Sequence, residues 1–359
     1  MIHEQVITKD DVVLVTGSSG RIGRNLIRTL GDTCTIVGFD HQKKQSIPPH
    51  VDSVPCDLTS DESVKKGLAH VREKYGDRIS SIVHLAAYYS FSGQPSDLYE
   101  ELTVRGTERL IKAAQNCRTE QFIFTSTMLV HESTKPGTKI SEDSPVHAKW
   151  AYPESKVKAE AIIQKEGEHF PTVIMRVAGC YDDDCQSIPI SQQACRIFEG
   201  RLEAHVFPGD ITHGAAYLHM DDLSAAIIKA ITRRARLRTD FVVLIGEPVT
   251  FSYDQLQREI SRFLHGREIT THQIPQGPAE LGAWFESHIP FMEKPFVKPW
   301  MIPMADDHYE LNIRRARTEL GWEPKKNVKD TIPVMLSLLK TDPEKWYEMQ
   351  GIRPPHWVE

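Results

Sequence analysis

The 359 residues are 26% charged and 40% hydrophobic with a net charge of −6, the composition of a chain that folds around a large core. That acidic balance excludes a basic nucleic-acid-binding surface, and no apolar run reaches the length of a membrane span. Six cysteines (34, 56, 117, 180, 185 and 195) fall without a CxxC or His/Cys cluster, so they read as reduced thiols of a cytoplasmic protein, with no metal site.

Met1 stands a few residues before the first predicted strand, which leaves no room for a secretory leader. That strand, Asp11 to Val15, is a β-branched run of the fully buried parallel type. It runs into Thr16-Gly17-Ser18-Ser19-Gly20-Arg21-Ile22-Gly23, after which Ile22, Leu26 and Leu30 recur at helical spacing. Strand, glycine turn and helix together form the fingerprint of a dinucleotide site. Gly17 permits the tight turn, Gly20 lets backbone approach a pyrophosphate, and Gly23 lets the helix pack closely. The helix N-terminus adds unpaired N–H groups and the positive end of a dipole. The second strand, Thr35 to Phe39, ends in Asp40, about twenty residues past the glycines, where a carboxylate accepts from the adenosine ribose. The same carboxylate repels a 2′-phosphate, so the expected cofactor is NAD rather than NADP, with Lys43 and Lys44 the residues able to offset that repulsion.

A third strand is predicted over Val51 to Pro55, followed by Asp57 and Leu58; Asp57 either meets the adenine ring or begins the next turn. A helix over Asp61 to Tyr75 leads to a strand over Ile79 to Leu85, and Ala86-Ala87 leave space for a cofactor across its end. Tyr88, Tyr89 and Phe91 come next, where a substrate would sit. A long helix, Pro95 to Cys117, returns to a strand over Gln121 to Thr125 that runs into Ser126-Thr127. Tyr152-Pro153-Glu154-Ser155-Lys156 opens a further helix, its proline in the first turn. Strands over Pro171 to Val177 and Phe241 to Ile245, with a helix over Asp221 to Arg234 between them, complete an α/β doubly wound parallel sheet of Rossmann type. Beyond it, Ile289 to Pro303 reads as an ordered loop, with helices at Arg314 to Leu320 and Val328 to Lys340. The tail holds Trp346, Tyr347 and Trp357 and is expected to pack. The expected division is an NAD-binding domain of residues 1–178 with 210–246, and a substrate-binding lobe of residues 179–209 with 247–359.

Tyr152 and Lys156, four apart, share one helical face. A phenol is a poor base at neutral pH, and an ammonium one turn away favours the phenolate. With the Thr127 hydroxyl at a strand end, this set describes proton transfer coupled to hydride transfer.

Over nearly its whole length the chain resembles an extended short-chain dehydrogenase/reductase of the NAD-dependent epimerase/dehydratase kind. The resemblance rests on the glycine turn, Asp40, Asp57-Leu58, His84-Leu85-Ala86-Ala87, Thr125-Ser126-Thr127, Tyr152 to Lys156, Arg176-Val177-Ala178-Gly179, His219-Met220-Asp221-Asp222 and Leu320-Gly321-Trp322-Glu323-Pro324. It implies catalytic roles for Thr127, Tyr152 and Lys156. It also implies cofactor contacts from Gly17, Ser19, Gly20, Arg21, Ile22, Gly23, Asp40, Asp57, Leu58, Leu85, Ala86, Ala87, Thr125, Tyr152, Lys156, Val177 and Ala178. Tyr88, Tyr89, Thr127 and Met128 would face the substrate. Three departures narrow it: Met128-Leu129 replace the acidic pair of dehydratases, Ala215 stands where a diphosphate-clamping arginine is common, and Thr103 replaces a helical asparagine. His213 and His219 read as packing or capping residues. The expected function is an NAD-dependent oxidoreductase or epimerase acting on a secondary alcohol or ketone of a sugar-like small molecule, toward which Gly321-Trp322-Glu323-Pro324 tilts the reading. A hydroxysteroid dehydrogenase-like enzyme and a non-catalytic NAD-binding regulator are the alternatives. Its expected partners are a small-molecule substrate, no nucleic acid, no membrane, and a second copy of itself. That homodimer would pair the helices at Pro95–Cys117 and Tyr152–Gly167 through Leu98, Leu102, Leu110, Ile111, Ala159, Ile162 and Ile163.

Overall fold

Five consecutive buried residues, Val12–Thr16, form β1, the central strand of the computed structural model, which describes residues 5–41, 47–92, 94–277, 279 and 297–358. Around it lie β2 (Thr35–Asp40), β3 (Asp52–Pro55), β4 (Ser81–His84), β5 (Phe122–Thr127), β6 (Thr172–Val177) and β7 (Phe241–Ile245). All pair in parallel in the order β7-β6-β5-β4-β1-β2-β3. Strand order reverses between β1 and β4, which opens a crevice at their carboxyl ends. The helices α1 (Arg21–Leu30), α2 (Asp61–Tyr75), α3 (Arg105–Ala114), α4 (Ala151–Glu166), α5 (Ile188–Phe198), α6 (Met220–Thr232) and α7 (Tyr253–His265) follow, then α8 (Val328–Thr341) and α9 (Pro343–Gln350). Near-continuous apolar strands bury both faces of the sheet in two core clusters, one holding Val13, Val15 and Leu223, the other Leu14, Phe122 and Ile163. A third cluster, with Ile190, Leu256, Leu336 and Trp346, sits among α5, α7, α8 and α9.

Several expectations need correction. The strand predicted over Ile79 to Leu85 is two pieces: Arg78–Ile79 pairs with Arg118–Thr119 outside the main sheet, and β4 starts at Ser81. The long helix after Pro95 opens as a π turn, Tyr99–Val104, before becoming α3. That wide turn buries Thr103, whose Oγ1 accepts from Tyr88 N at 3.0 Å. The loop expected at Ile289 to Pro303 is a 3-10 helix over Pro299–Asp306, with Pro299 in the opening turn, where a missing N–H costs nothing; residues 289–296 lie outside the described residues. Lys43 and Lys44 also lie outside them. In the tail Trp346 and Tyr347 are fully buried, whereas Trp357 is 63% exposed. Among the described residues no helix is long and apolar enough to cross a membrane.

Candidate active site

At the end of β1 the backbone turns through Gly17 at φ 66°. A Cβ there would lie 3.0 Å from Ala86 N, and one on Gly23 would lie 2.3 Å from the Gly17 carbonyl oxygen. Both positions therefore exclude a side chain. Gly20 is the N-cap of α1, and no side chain caps the first amides of that helix, which leaves them available to an anion.

The turn is fastened to β4 by a line of hydrogen bonds. Thr16 Oγ1 accepts from Leu85 N and Ala86 N, each at 3.2 Å, and stands 2.7 Å from His84 Nδ1. On the other side of the ring, Thr107 Oγ1 is 2.9 Å from His84 Nε2 and donates its own proton to Thr103 O at 2.6 Å. Nε2 must therefore be the donor, and Nδ1 accepts from Thr16. The ring is a neutral imidazole, and burial, reinforced by Lys156, pushes it down to about 3.

Asp40 lies at the end of β2, facing the glycine turn: Oδ2 accepts from Ser19 N at 3.0 Å and Ser19 Oγ at 2.6 Å. Burial opposes its ionisation, but the hydrogen bonds from Ser19 and His41 prevail and hold the carboxyl below its usual range. Asp57 begins the next turn, its Oδ1 accepting from Thr59 N and Oγ1 at 2.8 and 2.7 Å. The side chains of Leu58, Met128, Val177 and Ala178 are buried in the core clusters. For Met128 the cause is the 3-10 turn Met128–Val130, which carries its side chain inward.

Lys156 is 2% exposed and donates from Nζ to the Thr125 carbonyl at 2.7 Å. Its ammonium lies 4.5 Å from the centre of the Phe124 ring and 5.9 Å from that of Tyr152. Burial pushes Lys156 down to about 7, with Glu160 opposing. Without cofactor, desolvation raises the Tyr152 hydroxyl above its ordinary value, and Cys180 and Tyr99 act in the same direction. Tyr152 is therefore a neutral phenol. Thr127 Oγ1 accepts from Leu129 N at 3.3 Å. Between Thr125 and Thr127, Ser126 points the other way and donates to Glu160, which pairs with Arg176 Nη2 at 2.7 Å. That buried pair clamps the end of β5 against α4. Sequence reasoning passed over Glu160, although its place four residues after Lys156 was a usable signal.

Aromatic rings cluster beside Tyr152, with Tyr89 47% exposed at their edge. Tyr89 meets the Tyr152 ring edge-on at 4.6 Å, Trp150 lies at 5.5 Å, and Phe91 and Trp300 stand 6.3 and 5.5 Å from Trp150. Tyr88 turns instead onto Tyr99 at 4.8 Å. Trp150 was legible from its place two residues before Tyr152; Trp300 carried no local signal. Cys180, from the strand Gly179–Tyr181, bears electrostatically on both Tyr152 and Tyr89.

His219 caps α6, accepting from Asp221 N at 3.1 Å, and His213 Nδ1 donates to Asp306 O at 2.6 Å. Asp183, His219 and Asp221 cluster as metal ligands do, but Lys326 Nζ stands among them at 3.1, 3.3 and 3.0 Å. Trp322 is buried and donates to Asp222 O at 3.0 Å, while the Asp222 carboxylate accepts from Lys325 N and Lys326 N at 3.0 and 2.9 Å. The Gly321-Trp322-Glu323-Pro324 stretch thus anchors the C-terminal part to α6.

Residues 13–246 match the NAD dependent epimerase/dehydratase family. The chain belongs to that family. As an extended short-chain dehydrogenase/reductase it is an NAD-dependent epimerase/dehydrogenase-type enzyme, and the side-chain-free cradle at Gly17 and Gly20, the uncapped start of α1 and Asp40 fit that cofactor. The chain is 27% identical to the decarboxylating sterol-4-alpha-carboxylate 3-dehydrogenase of Schizosaccharomyces pombe, over 58% of this chain and 63% of that protein, less than two thirds of the relative's length. It is 26% identical to the 3 beta-hydroxysteroid dehydrogenase/Delta 5→4-isomerase of Mycobacterium tuberculosis over 91% of each. Its fold is that of UDP-glucose 4-epimerase from Thermotoga maritima, with a TM-score of 0.70 at 17% identity over 92% of this chain and 99% of the other. The Thermus thermophilus UDP-glucose 4-epimerase, solved with NAD, gives 0.68 at 19% over 91% and 98%.

Proposed function

We propose that this chain moves a hydride between NAD and a secondary alcohol or ketone carried on an apolar ring system, with Tyr152 handling the hydroxyl proton. The observation that carries the proposal is a connected set of rings, Tyr89 and Trp150 against Tyr152, and Phe91 and Trp300 against Trp150, one helical turn from the buried Lys156. Aromatic faces suit a flat hydrophobic substrate. Ala215 offers no cation to a nucleotide diphosphate, and the Gly321-Trp322-Glu323-Pro324 stretch, the sequence argument for a sugar, is occupied in anchoring α6. Sterols and hydroxysteroids are named for the two curated relatives above. The reading therefore moves from the sugar-like expectation to its hydroxysteroid-like alternative.

NAD, when bound, supplies the carbon that accepts or returns the hydride. Tyr152, a neutral phenol, gives its proton to the alkoxide as a ketone is reduced and becomes a phenolate that solvent reprotonates. Oxidation of an alcohol runs the other way, from the phenolate, which takes the hydroxyl proton as the hydride leaves. Thr127 donates a hydrogen bond to the same substrate oxygen. Lys156, fixed on the Thr125 carbonyl, keeps α4 in register with the end of β5, and its remaining N–H groups would hold the cofactor ribose. In this reading residues 1–178 with 210–246 bind the cofactor and residues 179–209 with 247–359 form the substrate lobe.

Polycyclic 3-hydroxysteroids and UDP-hexoses are offered side by side. Steroid turnover is measured as the absorbance of reduced nicotinamide, and UDP-hexose turnover by chromatographic separation of the epimers, which form with no net reduced nicotinamide. Turnover of the steroids alone is expected; turnover of a UDP-hexose alone overturns the apolar reading. The proposal includes a homodimer, on a smaller apolar face than the sequence suggests. Leu110, Ile111, Ala159 and Ile163 are fully buried in the chain's own core, which leaves Leu98, Leu102 and Ile162 at or near the surface. Leu102→Glu should shift sedimentation from dimer to monomer, and a wild-type monomer at micromolar concentration removes the dimer.

A further inference from the structure

One ion pair crosses from the start of α1 to the segment that leads into α5. Arg21, the first residue of α1, has a side chain 37% exposed, and its Nη2 stands 3.4 Å from Asp182 Oδ2. Its Nε is buried and has no hydrogen-bond partner among the described residues. The other oxygen of the Asp182 carboxylate, Oδ1, accepts from Gln186 N at 2.8 Å, while the Asp182 carbonyl accepts from Cys185 N at 3.1 Å. The tight turn so made holds Cys185 at φ 59° and delivers the chain to α5. Two residues upstream, Cys180 senses the Arg21 charge and itself bears on Tyr152. A single pair thus joins the anion-attracting end of α1 to the segment that borders the reactive tyrosine.

We propose that Asp182 is a positioning residue of the cofactor site: it holds the Arg21 guanidinium at the mouth of α1 to meet the dinucleotide diphosphate, and the pair ties cofactor occupancy to the order of residues 182–198. This rests on the placing of NAD at the glycine turn. A guanidinium carries five N–H donors, so one stays on Asp182 while others take phosphate oxygens. Cofactor binding then firms the turn and α5, and substrate enters a lobe already ordered.

The test pairs calorimetric titration with NAD and amide hydrogen exchange of peptides covering residues 182–198. It uses the wild type, Arg21→Gln, Asp182→Asn and Asp182→Ser. Both Asp182 variants keep an oxygen for the Gln186 amide, so the turn retains its hydrogen bond. NAD is expected to slow exchange in this segment of the wild type. Arg21→Gln should weaken NAD binding by about tenfold or more and abolish the slowing. In the Asp182 variants the slowing should vanish even at saturating NAD. A merely structural role for Asp182 would speed exchange equally with and without NAD, and that result overturns the proposal, as does wild-type affinity in Arg21→Gln. If the wild type binds no NAD, the placing of the cofactor falls with it; if NAD binds and residues 182–198 ignore it, the bridge alone falls.

Discussion

The glycine turn and the aromatic wall face one crevice and are built by opposite means. The turn is made of backbone. Its shape follows from missing side chains at Gly17 and Gly23 and from hydrogen bonds to Thr16 and Asp40, most of them to main-chain amides. The wall is made of side chains drawn from three distant segments: Tyr89 and Phe91 after β4, Trp150 before α4, and Trp300 from the C-terminal 3-10 helix. A backbone cradle tolerates almost no substitution and suits a constant ligand. A wall of separate rings changes one residue at a time and suits a ligand that varies. Constancy on one side and choice on the other follow from the building material.

The contrast can be broken at several points. The largest effect is expected at the seam, where Tyr152→Phe should lower turnover by roughly a hundred- to ten-thousand-fold with NAD affinity unchanged by titration. Next is acid. On the cofactor side the unfolded His84 ring takes a proton below about 6.5, whereas the folded ring refuses it until about 3. Between those values the unfolded chain binds more protons, so stability falls as the pH falls, by several kcal/mol in all, read as denaturant midpoints from pH 7 to 4. His131, pushed down to about 4 by burial and by Arg176, adds to the same trend. Gly23→Ala should cost about 1–3 kcal/mol in chemical denaturation, since its Cβ meets backbone that cannot swing aside, and NAD binding should be lost with it. The smallest effect belongs to the wall: Trp150→Ala should raise KM for a polycyclic alcohol about tenfold and leave NAD affinity alone. Equal damage to NAD affinity from Trp150→Ala would mean that the two sides are not independent.

The same contrast explains what could be read in advance. Backbone features leave local marks, so β1, the glycine turn, α1 and the Tyr152–Lys156 face were legible from spacing. The wall left none for Trp300, whose role depends on a fold that brings the C-terminal part over α4. The π turn at Tyr99–Val104 was hidden because its sequence reads as ordinary helix. The surroundings of the Tyr152 hydroxyl left no mark either: proximity to Lys156 is visible in a sequence, but the desolvation that raises the phenol comes from the folded surroundings.

The line of hydrogen bonds through His84 has a sense of direction. The amides of Leu85 and Ala86 give to Thr16, Thr16 gives to His84, His84 gives to Thr107, and Thr107 gives to the Thr103 carbonyl. Every proton points toward the π turn, and both ends are main-chain groups that cannot exchange roles. Reversing any one link would leave a neighbouring hydroxyl with two donors face to face. The line therefore has one arrangement and no mirror image of it, and the mouth of the crevice is held in a single shape before any ligand arrives.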